Sequence, residues 1–208
     1  MTIALPSNVH QPQNDTFTSL LSQLRDRSLK PSKVRALVRD MTATITKSLH
    51  IDAPKDETIA IIVVLRSGLA MFDGFVDNIP EDVSTTVYHM GIFRDQASLQ
   101  PVEYYNKLPV KPAHIKQAYI LDPLIATGGT AAAVVSILQD WGIEKVTFLS
   151  MLSTPVGLAH AAAVWPEGSR FVVGAVDPEV DAKGFVSLFV ELQHEIPTSQ
   201  TFEGIEEA

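Results

Sequence analysis

Cysteine is absent from this 208-residue chain, so it holds no disulfide, no thiolate nucleophile and no zinc site built on thiolates. An excess of positive charge is missing too. Sixteen Lys and Arg face 24 Asp and Glu, giving a net charge of −8 and an isoelectric point near 5.2. That balance argues against a broad electrostatic footprint for DNA or RNA, although a few cations can still gather around one phosphorylated metabolite. No apolar run reaches the length that spans a bilayer. Residues 1–15 have neither a basic start nor a long apolar stretch, so no secretory signal is expected and the simplest reading is a soluble, cytoplasmic protein. Repeats, heptads and low-complexity tracts are also lacking.

Several catalytic signatures are absent as well. There is no G-x-x-x-x-G-K-[ST] loop and no G-x-G-x-x-G fingerprint. His10, His50, His89, His114, His160 and His194 are scattered, with no H-E-x-x-H and no pair at metal-ligand spacing, so they read as structural or surface residues and no protein metal site is expected. No G-x-S-x-G elbow occurs, and Ser67 lies in a different kind of turn. The acidic stretch 203–207 reads as a solvated tail.

What the chain has is apolar material: 46% of it, with a mean hydropathy of +0.14, enough for a sizeable core. The expected organisation is a flexible polar leader over residues 1–15, rich in Pro, Gln and Asn, and one domain over residues 16–208. Residues 17–24 and 32–49 read as amphipathic helices covering one edge of the core. The continuous β-branched run 59–65 predicts a buried strand, followed by the turn Arg66-Ser67-Gly68 and a helix over 69–75. Residues 85–93 predict a further strand. The polar, aromatic, proline-bounded stretch 94–109 predicts an extended arm or hairpin. Then come a strand at Tyr119, a helix over 131–138, a strand over 145–152, a helix over 155–163 and a strand over 171–176. Alternation of this kind predicts an α/β fold with a parallel sheet flanked by helices.

The run Tyr119-Ile120-Leu121-Asp122-Pro123-Leu124-Ile125-Ala126-Thr127-Gly128-Gly129-Thr130-Ala131 orders a strand, an acid, a small-residue turn and a new helix. Amide groups of Ala126, Thr127, Gly128, Gly129 and Thr130 would lie at a helix N-terminus, where unpaired N–H donors and the dipole favour a phosphate. A tight turn with no ligand produces the same pattern. Asp122 adds to the first reading. It precedes a proline and stays extended at the carboxyl end of a strand, where open α/β sheets bind ligands.

With these residues placed, the chain resembles the uracil phosphoribosyltransferase family, of the type I phosphoribosyltransferase fold, over about four fifths of its length, from residue 24 to residue 186. Asp122-Pro123-Leu124-Ile125-Ala126-Thr127-Gly128-Gly129-Thr130 is similar to the family's loop for 5-phosphoribosyl 1-diphosphate (PRPP), with Thr130 in place of a serine. Leu65-Arg66-Ser67-Gly68-Leu69-Ala70-Met71 resembles its pyrophosphate-side loop. Gly91-Ile92-Phe93-Arg94-Asp95 together with Pro101-Val102-Glu103-Tyr104-Tyr105-Asn106-Lys107-Leu108-Pro109 resembles its mobile arm.

The resemblance implies a transferase that joins PRPP and a nucleobase, uracil first, to give UMP and pyrophosphate. It assigns the 5′-phosphate to Ala126, Thr127, Gly128, Gly129 and Thr130, and the pyrophosphate to Arg66, Arg94 and Lys107. Asp122 goes to the ribose hydroxyls or to positioning a metal, so that Asp122 and Arg66 act at the reaction centre. Phe185 and Val186 fall to the nucleobase. Mg²⁺ would be held mainly through PRPP, and a homodimer or higher assembly through the arm is implied. Arg94 and Lys107 could equally belong to a solvated loop or a dimer contact, and Tyr104 and Tyr105 to packing or an interface.

The resemblance ends after Lys183-Gly184-Phe185-Val186. Where the family carries Pro-Gly-Leu-Gly-Asp-Ala-Gly-Asp-Arg, this chain has Ser187-Leu188-Phe189-Val190-Glu191-Leu192-Gln193-His194-Glu195-Ile196-Pro197. The glycines that let a flat pyrimidine approach the backbone are replaced by bulky side chains. Three outcomes remain open at this point: uracil on a changed backbone path, another heterocycle, or a non-catalytic PRPP- or nucleotide-binding regulatory protein.

Overall fold

A computed structural model describes residues 5–26, 28–94 and 101–177 of the chain. Its centre is the run Ile59–Leu65 (β2), whose residues are almost all fully buried because the strand has neighbours on both sides and helices on both faces. Around it the sheet takes in Val9–His10 (β1), Thr85–Arg94 (β3), Pro101–Asn106 (β4), Gln117–Leu121 (β5), Leu124–Ile125 (β6), Lys145–Ser153 (β7) and Ser169–Val176 (β8). The order across the eight-stranded sheet is β1-β8-β7-β5-β2-β3-β4, with β6 alongside β7. All pairings are parallel except β3 with β4, which form an antiparallel hairpin where the arm was expected.

Alternate residues along the strands serve two separate cores. Ile59, Ile61, Val63, Tyr119, Leu121, Leu149 and Val172 face the helices Asp15–Leu24 (α1), Pro31–Thr46 (α2) and Leu69–Val76 (α3). Ala60, Ile62, Val64, Ile120, Phe148, Phe171 and Val173 face Gly129–Trp141 (α4) and Pro155–Ala162 (α5). The two N-terminal helices therefore cover a face of the sheet, not its edge: their apolar stripes need the width of several strands to be buried. Their starts follow ordinary capping rules. The Asn14 side chain accepts the Phe17 N–H at 3.0 Å, and Pro31 opens α2 at a position whose N–H would have no partner.

Two short strands escape the pattern reading. Val9 and His10, inside the stretch expected to be a loose leader, pair in parallel with Phe171 and Val172, and the Asn8 side chain donates to Ala162 O at 3.1 Å and Ser169 Oγ at 3.2 Å. Leu124 and Ile125 pair with Leu152 and Ser153. Two residues are too few to show a period. Among the described residues no helix is long and apolar enough to cross a membrane.

Connectivity puts the ligand edge in one place. After β2 the chain crosses by α3 to β3 on one side; after β5 it crosses by α4 to β7 on the other. The carboxyl ends of β2 and β5, neighbours through Val63 and Leu121, thus border the crevice where the winding direction reverses.

Candidate active site

Two loops meet at that crevice. The first leaves β2 at Leu65, passes a cis peptide to Arg66 and turns through Ser67 and Gly68 into α3. A Cβ on Gly68 would stand 2.3 Å from Leu121 O and 2.7 Å from Val64 O, so only glycine lets this turn lie against the end of β5. That approach brings the Ser67 hydroxyl to Asp122, where it donates to Oδ1 at 3.0 Å. Arg66 is exposed at the rim.

The second loop follows β5. Asp122 is 6% exposed, and its carboxylate accepts the Ser67 hydroxyl and the Leu124 N–H. Loss of water around the anion still dominates, and the carboxyl is pushed from 3.8 up to about 7. Pro123 anchors the strand exit by accepting the N–H groups of Met151 and Leu152 at 3.0 and 3.1 Å. Beyond β6 the chain rounds residues 126–128 into α4, with Gly128 at φ 81°, a left-handed conformation that strains any residue with a Cβ. The Ala132 N–H closes the first helical bond to Gly128 O at 2.8 Å, so the amides of Gly129, Thr130 and Ala131 precede any intrahelical acceptor. Ala126, Thr127, Gly129 and Thr130 are partly exposed there.

The hairpin reaches this edge at the pair Arg94–Pro101. A Cβ on Gly129 would lie 3.9 Å from the Pro101 ring, and Pro101 pairs with Arg94, so the backbone of Arg94 stands next to the loop. Lys107 follows the other end of β4, beyond Asn106, which pairs with Met90. It lies on the outer strand, roughly 14 Å across the sheet from β5 by strand spacing, with its ammonium 5.8 Å from the Tyr105 ring centroid. Asp122, Arg66 and the loop 126–130 are thus brought together, while Lys107 is held apart from them. Phe185 and Val186 lie outside the described residues, as does the side chain of Arg94.

Sequence reasoning placed Ser67 in its loop but missed its bond to Asp122, which joins residues 55 apart in sequence. A hydroxyl one residue before the Gly68 contact was the signal available. Chemically, the crevice offers a buried acid between a cationic rim and a cup of backbone donors. That suits a ligand with hydroxyls in its middle and phosphate groups at its ends.

Comparisons with known proteins identify the family of the chain. The sequence model of the uracil phosphoribosyltransferase family matches residues 42–188. A putative uracil phosphoribosyltransferase of Schizosaccharomyces pombe, urg2, is 41% identical over 189 residues, covering 89% of this chain and 87% of that protein. The uracil phosphoribosyltransferase of Roseiflexus castenholzii is 33% identical over 183 residues, covering 80% and 86%. Among solved structures, the AQ2163 protein of Aquifex aeolicus superposes with a TM-score of 0.73 at 21% identity, over 85% of this chain and 90% of that one, a likeness of fold.

Proposed function

The chain belongs to the uracil phosphoribosyltransferase family, with the type I phosphoribosyltransferase fold, and from that premise we propose that it converts uracil and PRPP to UMP and pyrophosphate. The observation that carries the proposal is the Ser67–Asp122 hydrogen bond at the carboxyl ends of β2 and β5, which ties a cationic loop and a phosphate-cup loop to one buried acid.

In this reading the amides of residues 126–130 hold the 5′-phosphate, aided by the hydroxyls of Thr127 and Thr130, and Asp122 accepts from the ribose hydroxyls. Arg66 meets the pyrophosphate with its guanidinium fork, and Arg94 is the arm's cation for the same group, whereas Lys107, across the sheet beside Tyr105, is given no part in it. As the bond from the anomeric carbon to pyrophosphate stretches, a ring nitrogen of uracil attacks from the opposite face. The residues contribute mainly alignment, worth about 7–11 kcal/mol of such a barrier, against about 10²–10⁴ in rate for one general base. A dedicated base is therefore not required.

Among the described residues no three acidic or imidazole side chains converge on one point. In the proposed reaction a Mg²⁺ would be held chiefly by the oxygens of PRPP and would supply charge neutralisation at the departing pyrophosphate. Because a donor this heavily charged does not cross membranes unaided, the reaction is assigned to the cytoplasm. The assembly is proposed to be a homodimer or larger, since Phe93, Val102 and Tyr104 leave apolar surface exposed along the hairpin.

Incubation with PRPP, Mg²⁺ and a panel of bases tests the proposal directly. Pyrophosphate release with uracil, and UMP as product, is the expected result. Release with no base, while PRPP still raises the melting temperature, would mean that the fold binds the donor without transferring it.

A further inference from the structure

The loop that receives the 5′-phosphate in the proposed reaction does not set its own shape. Three successive carbonyls of it are taken by α5 and the residue before it. Ile125 O accepts the Thr154 N–H at 2.9 Å, Ala126 O accepts the Thr154 hydroxyl at 2.5 Å, and Thr127 O lies 3.0 Å from His160 Nδ1. A carbonyl can only accept, so Nδ1 is the donor in this contact. The Thr154 hydroxyl works twice, since it also accepts the Gly157 N–H at 2.9 Å and caps α5.

Contact is tight throughout. A Cβ on Gly157 would come to 2.3 Å from Ala126 O, and one on Gly128 to 2.3 Å from Gly157 O and 3.1 Å from the His160 Cβ. At Gly128 and Gly157 the loop thus lies backbone against backbone on α5.

These bonds have a consequence on the other side of the loop. The peptides linking residues 125 to 128 are trans, and in a trans peptide the N–H points opposite to the preceding C=O. Holding the carbonyls of 125, 126 and 127 against α5 turns the amides of Ala126, Thr127 and Gly128 away from it, toward the side open to an anion. We propose that Thr154 and His160 are positioning residues of the donor-phosphate cup, and that their hydrogen bonds to the carbonyls of Ala126 and Thr127 aim the Thr127 and Gly128 amides at the 5′-phosphate. The proposal rests on the transferase reading, because it needs a phosphate in this loop.

His160 is exposed, so its removal tests the idea without opening the core. Calorimetry with ribose 5-phosphate probes this cup, and pyrophosphate probes the Arg66 side. For His160→Ala, loss of one oriented hydrogen bond predicts about three- to tenfold weaker ribose 5-phosphate binding and a matching rise in KM for PRPP, with kcat, pyrophosphate affinity and Tm near those of the wild type. His160→Asn, whose amide nitrogen can stand where Nδ1 stands, should restore binding. Thr154→Ser keeps both hydroxyl bonds and should bind as the wild type does. If His160→Ala binds ribose 5-phosphate as tightly as the wild type, or loses pyrophosphate affinity equally, the positioning role is wrong. If the wild type itself binds neither ribose 5-phosphate nor PRPP, the transferase reading has failed first.

Discussion

At the scale of single residues, Asp122 carries the clearest physical tension. Its folded carboxyl keeps a proton up to about pH 7, whereas an unfolded one releases it near 3.8. Across that window the folded state binds more protons, so stability falls as pH rises through it, by on the order of 4 kcal/mol in total. Asp122→Asn keeps the shape but cannot ionise. The ligand-free variant should therefore gain in melting temperature at pH 5 and clearly more, by about twice or more, at pH 8, while losing PRPP turnover. A gain that stays constant between pH 5 and pH 8, measured by calorimetry, would contradict the burial argument. Stability is thus given up to keep a buried carboxylate, which in the proposed reaction completes its set of donors with the ribose hydroxyls.

At the scale of elements, two glycines with equally short contacts should respond differently. A methyl at Gly68 meets the backbone oxygens of Leu121 and Val64, which belong to the central strands and cannot yield. A methyl at Gly91 meets the Tyr104 ring, which is 53% exposed and can swing outward. Gly68→Ala is expected to cost about 1–3 kcal/mol or more and to break the Ser67–Asp122 bond, whereas Gly91→Ala should cost less than about 1 kcal/mol. Urea denaturation of the pair checks the ranking, and equal losses would show that the β3–β4 hairpin is as rigid as the sheet centre. The same elements show what the sequence made legible. The limits of β2 could be read because seven apolar, mostly β-branched residues end abruptly at Arg66, and the fold confirms Ile59–Leu65. An extended arm or hairpin over 94–109 was legible from its proline-bounded polar composition, but the pairing of β4 with β3 and the bulge between Gly91 and Ile92, where Tyr104 lies over Gly91, were not. The short strands β1 and β6 were missed because each exists only by pairing with β8 or β7.

At the scale of the whole molecule, the site spans both halves of the chain, since β2 supplies one loop and β5 the other. A ligand that bridges them should stabilise the fold as a unit. At about 100 times its dissociation constant, PRPP with Mg²⁺ contributes about 2.7 kcal/mol to a state that alone binds it, which for a chain of this size is a rise of about 5–10 °C in melting temperature. Differential scanning calorimetry measures it, and an unchanged transition would show that the crevice does not take the donor.

The sequence by itself determined the alternation of strands and helices, the acid and small-residue turn after Tyr119, and the family, because each of these is written in residues close together along the chain. Tertiary structure alone decided that Ser67 bonds Asp122, that the N-terminal helices cover a face, that Lys107 stands apart at the outer strand, and that Thr154 and His160 bond the carbonyls of Ile125, Ala126 and Thr127. Each of these depends on which strands become neighbours, and that order follows from burying two helical layers on one sheet at once, a condition no local stretch of sequence expresses.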